Sequence, residues 1–419
     1  MRMPTRVVIT GLGIVSPLGL GIGQFWKSAL EGRSGVAAIP NFDELPMDSY
    51  RSRIAGQVPD FNPAAHFDPA QAERLDRYAQ FALVAAKEAV ADSGLAMERE
   101  DPRRIGVIVG AGMGAMMMGE RELTKLYLSQ KPHRVPPNFI PTITLNSASG
   151  LIALAHGAKG PNLTISTACS SSSHAIGQAL TCIRTGQADA VIVGGADASI
   201  TPLVFAGFCS LRALSTGFND RPAQASRPFD RGRDGFVMGE GAGALIVESL
   251  AHAKKRKARI YAEVAGYAAT SEAYHMVIPK EDGTEMATTM GLALKDAGVR
   301  PSEVDYVNAH ATSTVRGDEV EIRGIRLALK SRAQKILVSA TKSLIGHTLG
   351  AAGTIGTIAG ALAIESGHVH PTLNYDDPDP ECALPGIAKV AQERAIKVAL
   401  VNAFGFGSNN STLVLKRFA

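Results

Sequence analysis

Short apolar runs rich in β-branched residues recur along the chain, at Val7–Thr10, Arg104–Val109, Thr164–Ser166, Ala190–Val193, Ala244–Val247, Lys335–Val338 and Ala399–Val401. Longer alanine-rich stretches with helical spacing separate them, notably Gln71–Ser93 and Gly283–Ala297. Runs this short and continuous suit strands covered on both faces. Their alternation with helices predicts an α/β protein around a central, buried sheet. Two pairs of segments also look alike. Leu163–Cys169 and Leu337–Lys342 each read as a strand ending in small residues before a helix. Gly239–Glu248 and Gly405–Leu415 each read as a glycine-rich turn feeding an apolar strand. Chance similarity in a Gly- and Ala-rich chain is one explanation. A duplicated fold is the other, with halves 1–256 and 257–419 and the join in Lys254–Lys257. Two packed halves would bring equivalent strand ends side by side.

Composition narrows the class. The chain has 419 residues, 45% of them hydrophobic, enough for one large core or two fused ones. A net charge of +4 gives no reason to expect nucleic acid, although a mild basic bias suits an acidic partner. No aromatics interleave with Lys254-Lys255-Arg256-Lys257, so that run reads as a solvated helix end or linker. The four cysteines, Cys169, Cys182, Cys209 and Cys382, form no C-x-x-C pair, so neither a metal site nor a disulfide framework is expected. No signal peptide precedes the first strand, and no apolar run reaches the roughly 18 residues that span a bilayer. These features predict a cytoplasmic protein with no membrane or nucleic-acid partner.

Three segments carry candidate chemistry. Thr164-Ile-Ser-Thr-Ala-Cys169-Ser-Ser-Ser-Ser-His174 reads as strand, sharp turn, then a helix beginning near Ser170. A cysteine there gains from the positive helix end, which should lower its thiol pKa, and its turn presents N–H groups to whatever oxygen the sulfur attacks. A buried structural cysteine is the plain alternative. Cys182, Cys209 and Cys382 lack such a setting. Asp305-Tyr-Val-Asn-Ala-His310-Ala-Thr312-Ser-Thr314 and Thr341-Lys342-Ser-Leu-Ile-Gly-His347 are two further strand ends, each bearing a histidine and small hydroxyl residues. Gly110-Ala-Gly-Met113-Gly-Ala half-matches a dinucleotide fingerprint, but no acidic residue ends a second strand about 20 residues later.

With these motifs and Asn402-Ala-Phe404-Gly-Phe406-Gly in order, the sequence resembles the type II elongating β-ketoacyl-[acyl carrier protein] synthases, and also the ketosynthase subunits of bacterial type II polyketide pathways. The resemblance runs from Val7 to Lys416. It implies a thiolase fold, two duplicated halves in a five-layered α-β-α-β-α arrangement. It implies a Cys169, His310, His347 triad performing a decarboxylative Claisen condensation. Lys342 would maintain the local charge pattern, and the N–H groups of Cys169 and Phe406 would form the oxyanion hole. Thr312 and Thr314 match the hydroxyls that hold a phosphopantetheine arm, and Phe406 matches a gating aromatic. Met113, Phe139, Phe208 and Phe404 match positions that bind the substrate, in a pocket that crosses a dimer interface in relatives. No metal or bound cofactor is implied, because the substrates arrive on an acyl carrier protein. Arg74, Arg77 and Arg212 are candidates for docking that acidic partner, with Glu73 intruding. A homodimer, or a heterodimer with a second ketosynthase-like subunit, is expected.

Four places depart from the family pattern: Ala311 for glycine, Val315 for proline, Gly356 for an acidic residue, and Gly407-Ser-Asn-Asn410 for Gly-Gly-Thr-Asn. Ala311 adds a methyl where a backbone at φ > 0 is expected, and Gly356 removes a carboxylate expected to tune Lys342 and His347. The cluster predicts a pathway-specialised enzyme. The competing readings are a non-catalytic chain-length-factor-like subunit, which would lose the nucleophile, a degradative thiolase, which needs a second cysteine that is missing after Cys382, and a cysteine hydrolase.

Overall fold

The computed structural model describes residues 5–40, 42 and 45–418. Residues 1–4, 41, 43, 44 and 419 lie outside the described residues. In chain order, the sheet strands are β1 (Val7–Ser16), β2 (Ile105–Gly110), β3 (Asn162–Ile165), β4 (Ala190–Asp197), β5 (Gly241–Ser249), β6 (Ala262–Ser271), β7 (Tyr306–Asn308), β8 (Leu337–Ser339), β9 (Val398–Gly405) and β10 (Asn409–Lys416). The helices that matter here are α1 (Pro69–Arg74), α2 (Arg77–Ser93), α3 (Met116–Ser129), α4 (Phe139–Ile143), α5 (Ser171–Arg184), α6 (Pro202–Ser210), α7 (Thr284–Asp296), α8 (Val315–Leu329) and α9 (Ala352–Ser366).

The sheet path runs β8-β7-β9-β10-β6-β1-β5-β4-β2-β3. Read outward from the central antiparallel β1–β6 pair, both wings have the same plan. A long strand pairs antiparallel with the last strand of its half, β1 with β5 and β6 with β10. Another antiparallel neighbour follows, then two parallel strands. Even the irregularities repeat: the ladder slips between Ile9 and Gly11 on one side and between Val264 and Gly266 on the other. At both bulges a helix lies directly on the strand backbone. A Cβ on Gly11 would sit 2.2 Å from the Ala89 carbonyl oxygen, and one on Gly266 would sit 2.6 Å from that of Ala293. The segment pairs that looked alike in sequence are the equivalent strands β3 and β8, and β5 and β10. The chain is a duplicated α/β fold.

Alternation along the strands sorts side chains into layers. Val107 and Val109 pack with Tyr78 and Phe81 of α2, while Ile108 points the other way into a cluster with Ile176 and Ala179 of α5. Likewise Val307 joins Met290 and Ile325 of α7 and α8, whereas Tyr306 joins the cluster that contains α5 and α9. Helices α5 and α9 therefore fill the space between the two wings, with α2 outside one and α7 and α8 outside the other.

Three sequence expectations need correction. The Gln71–Ser93 helix is two: α1 ends at Arg74, Leu75 is extended, and Asp76 restarts the chain as N-cap of α2, accepting the Tyr78 N–H at 3.1 Å. An apolar stretch of 18 residues does occur, Leu349–Ser366, with interspersed Gly and Thr that break it up to the eye; it is the buried inter-sheet helix α9 with its lead-in turn. Finally, Arg256 in the basic run is not solvated like its neighbours, because its guanidinium grips the fully buried Glu248 carboxylate.

Candidate active site

Equivalent strand ends deliver the chemistry. β3 leads through a turn, with Ala168 at φ +52°, to Cys169 and then to α5, whose N-cap is Ser170. β7 ends two residues before His310, and β8 ends three residues before Lys342, with His347 following the short helix that Lys342 begins. All four side chains are more than nine-tenths buried. Cys169 Sγ and one ring nitrogen from each of His310 and His347 lie within 4.8 Å of one another. The two imidazoles meet edge to face, with centroids 5.4 Å apart.

Hydrogen bonding fixes the tautomer of His347. The Leu349 N–H donates to His347 Nδ1 at 3.3 Å, so the neutral ring carries its proton on Nε2. That Nε2 is buried and has no hydrogen-bond partner among the described residues, and the same is true of His310 Nδ1. Burial, reinforced by the Lys342 charge, holds both rings well below the usual histidine pKa, so both are neutral near pH 7. Neutral imidazoles with an unpaired nitrogen beside a thiol can donate an N–H to an oxygen placed there.

Lys342 is pushed down to about 8 by burial, opposed by the charges of Glu321, Cys169 and Asp318. Cys169 runs against the sequence expectation. Its thiol is pushed up to about 11 by burial, which outweighs Lys342 and the N–H groups of Phe406 and Cys169 that face the sulfur. A helix end is worth about 0.3–1 kcal/mol, less than one pKa unit at about 1.4 kcal/mol each. Desolvation wins, and Cys169 rests as a thiol.

The β9–β10 turn closes over this centre. Gly405 fits where a Cβ would be 2.6 Å from the Thr167 carbonyl oxygen and 3.2 Å from the Cys169 nitrogen. Phe404 stacks edge-on against His310 at 5.8 Å, and Phe406 is half-buried in the cavity wall. The turn is strapped to the segment after β6: Gly407 N–H donates to the Met276 carbonyl at 2.8 Å, and Ser408, at φ +64°, donates its hydroxyl to the His275 carbonyl at 3.1 Å.

A cavity of about 620 Å³ opens from the centre to the surface. Its walls include Met113, Phe208, Phe404, Phe406, Thr312, Thr314 and Arg212 of the residues expected from sequence. Thr312 and Thr314 hydroxyls are 2.9 Å apart. Phe139 is not in that wall; it starts α4, half-buried, and this chain alone does not bring it to the centre. Arg74 is exposed on α1, and its carbonyl accepts from Asn138 and Thr142. Arg77 is not free for a partner, because it pairs with the buried Glu240 at 2.6 Å.

Two buried carboxylates escaped sequence reasoning. Glu321 accepts the N–H groups of His310 at 2.8 Å and Ala311 at 2.7 Å, and the Asn402 amide at 3.1 Å. It holds the His310 loop, including Ala311, whose φ of +37° is the left-handed conformation expected there. A signal existed: Asp318, Glu321, Ile325 and Leu329 share one helix face, an acidic pair on an apolar stripe. Asp197 accepts N–H groups from Gly112, Met113, Gly114 and Gly350. The glycine-rich turn that half-matched a dinucleotide fingerprint thus already spends its amides on an internal carboxylate. Gly356 does not leave Lys342 without an acid, since Glu321 and Asp318 act on that ammonium. A Cβ at Gly356 would lie 2.8 Å from Asn308 Oδ1.

Comparison with known proteins accords with this geometry. Residues 4–253 match the family described as Beta-ketoacyl synthase, N-terminal domain, and residues 261–376 match its C-terminal domain. A 3-oxoacyl-[acyl-carrier-protein] synthase 2 from Coxiella burnetii is 45% identical over 412 residues, 98% of each chain. One from Staphylococcus aureus is 44% identical over the full length of both. Among solved structures, a type II polyketide ketosynthase in complex with its acyl-carrier protein superposes with a TM-score of 0.93 at 37% identity, covering all of both chains. A Burkholderia phymatum beta-ketoacyl synthase gives 0.91 at 33%, covering 99% of this chain and all of that one.

Proposed function

The chain belongs to the beta-ketoacyl synthase family, and from that premise we propose the part each residue of the site plays. The enzyme is an acyltransferase of the 3-oxoacyl-[acyl-carrier-protein] synthase type, a condensing enzyme of fatty-acid or type II polyketide synthesis. Cys169 sulfur attacks the thioester of an acyl-carrier. The carrier thiol leaves with the cysteine proton, and the acyl group stays on Cys169. The N–H groups of Cys169 and Phe406 stabilise the oxyanion of that step. A malonyl-carrier then enters. Its carboxylate leaves as carbon dioxide, and the electron pair moves onto the thioester oxygen, which accepts the N–H groups of His310 and His347. The enolate carbon attacks the Cys169 thioester and expels the thiolate, giving a β-ketoacyl-carrier two carbons longer. Loss of carbon dioxide drives the sequence, so no electron acceptor enters its balance.

The observation that carries this reading is the thiol within 4.8 Å of two neutral imidazole nitrogens, with two backbone N–H groups facing the sulfur. Thr312 and Thr314 hold the carrier's arm, Met113 and Phe208 contact the acyl chain, Phe406 gates the cavity, and Arg74 and Arg212 receive the acidic carrier. We further place the division of the two halves at 256/257 and the protein in the cytoplasm, working as a homodimer or paired with a second ketosynthase-like subunit. Exposed Leu123, Tyr127, Leu128, Ile140 and Leu154 form the apolar face such a dimer would bury, and Phe139 beside them would reach the partner's cavity. Ala311 and Ser408 suit an enzyme specialised to one pathway. Intact mass spectrometry with acyl-carrier and malonyl-carrier tests the whole. The wild type gains an acyl adduct and yields the extended β-ketoacyl-carrier, while Cys169→Ala gains neither. Free acid without condensation product would refute the reading.

A further inference from the structure

The segment leaving the catalytic centre marks a track to the surface. His310, Thr312, Thr314 and Arg316 all line the cavity, every second residue. Burial falls steadily along them: His310 is 8% exposed, the two threonines are half-buried, and Arg316 is exposed. Arg316, in the first turn of α8, is the exposed member of this cavity-lining set, so it stands at the mouth while the paired threonine hydroxyls lie further in. Gly317 leaves room for the paired hydroxyls, since a Cβ there would sit 2.4 Å from Thr314 Oγ1 and 3.3 Å from Thr312 Oγ1. Arg212 lines the same cavity from the first half of the chain.

Arg316 is only weakly engaged. Its partner is Glu281 at 3.1 Å, with both side chains more than 60% exposed. Such a pair is worth about 0–1 kcal/mol. A phosphate oxygen pair offers the planar guanidinium a better, bidentate partner. The other acids of the cavity wall are committed elsewhere: Asp234 accepts the N–H groups of Thr216 and Gly217, and Glu272 accepts Lys280 N–H and the Asn410 amide.

We propose that Arg316 recognises the phosphate of the carrier's phosphopantetheine arm, exchanging Glu281 for that phosphate as the arm passes Thr314 and Thr312 towards Cys169. This rests on the function proposed above, that substrates arrive as phosphopantetheine thioesters. The phosphate is then read at the end of the same segment that carries His310, so arm length and catalytic register are set by one stretch of backbone.

The test compares two small thioesters of the same acyl group, one on phosphopantetheine and one on pantetheine, following Cys169 acylation by intact mass. The readout is the ratio of the two rate constants, phosphorylated over unphosphorylated. Arg316→Ala should lower that ratio by about tenfold, the factor that corresponds to about 1.4 kcal/mol. Arg316→Lys should keep part of it, and Glu281→Gln should raise it by removing the competitor. Loss of rate to the same factor on both thioesters would overturn the proposal and make Arg316 a structural residue. An unchanged ratio combined with slower reaction of the intact carrier would also overturn it, in favour of contact with the carrier's protein surface. If the wild type accepts neither thioester and no carrier, the proposed function fails rather than the role of Arg316.

Discussion

Gly405→Ala tests whether the gate turn supplies an oxyanion donor. The added methyl would lie 2.6 Å from the Thr167 carbonyl oxygen, whereas ordinary contact begins at 3.4 Å, so about 0.8 Å must be made up. The Thr167–Ser170 turn is fixed, since the Thr167 N–H donates to Ser171 Oγ and the Ser170 hydroxyl donates to the Thr167 carbonyl. The β9–β10 turn is half-exposed and gives way first. Moving the neighbouring Phe406 N–H by that amount takes a hydrogen bond of about 2.9 Å beyond the range at which it counts as one. Loss of one oxyanion donor costs about 100-fold to 1000-fold in kcat. The assay is single-turnover acylation of Cys169 from an acyl-carrier, beside alkylation of Cys169 by iodoacetamide, which forms no oxyanion. Acylation should fall by at least about 100-fold while alkylation changes by less than about fivefold. Acylation within threefold of wild type, or an equal fall in both reactions, would refute the reasoning.

Lys342 gives a pH signature. Its folded pKa is about 8 against an ordinary 10.5, so between those values the unfolded chain binds a proton that the native one does not. Stability from this group therefore rises with pH across that window, and the burden of the buried ammonium is fully present below it. Lys342→Met should remove that rise, and denaturant midpoints for the two proteins that run parallel from pH 7.5 to pH 10 would contradict it. Gly177→Ala would place a methyl 2.3 Å from the Tyr267 ring where α5 crosses β6. Overpacking of this kind costs about 1–3 kcal/mol, so the urea midpoint should drop with an unchanged m-value, and Tyr267→Ala in the same chain should recover part of it.

The setting of Cys169 was legible because strand, small-residue turn and serine-rich helix start are local signals, and Ser170 is the helix cap within one residue of expectation. The duplication was legible in two pairs of short segments because equivalent strands need equivalent turns. The helix break at Asp76 was missed because a single acid inside a helical pattern does not announce a cap, yet its other oxygen accepts Met118 N–H at 2.7 Å from a distant segment. Arg77 looked like a docking residue because nothing near it in sequence announces Glu240, 163 positions away. Glu321 was overlooked for the same reason: its partners are backbone groups on a strand end and Asn402 on another strand.

By itself, the sequence determined where the strands lie, which residue types stand at the strand ends, and that Cys169, His310, Lys342 and His347 follow those ends. Those are consequences of local backbone preference and hydrophobic period, which act over a few residues. Only the tertiary structure decided that the ends converge, that the thiol rises to about 11 rather than falling, and that the histidines are neutral with unpaired nitrogens. Burial and pairing are set by surfaces that meet from far along the chain. At this centre the cost of desolvation is larger than the local field of a helix end, so the protonation state belongs to the assembled fold.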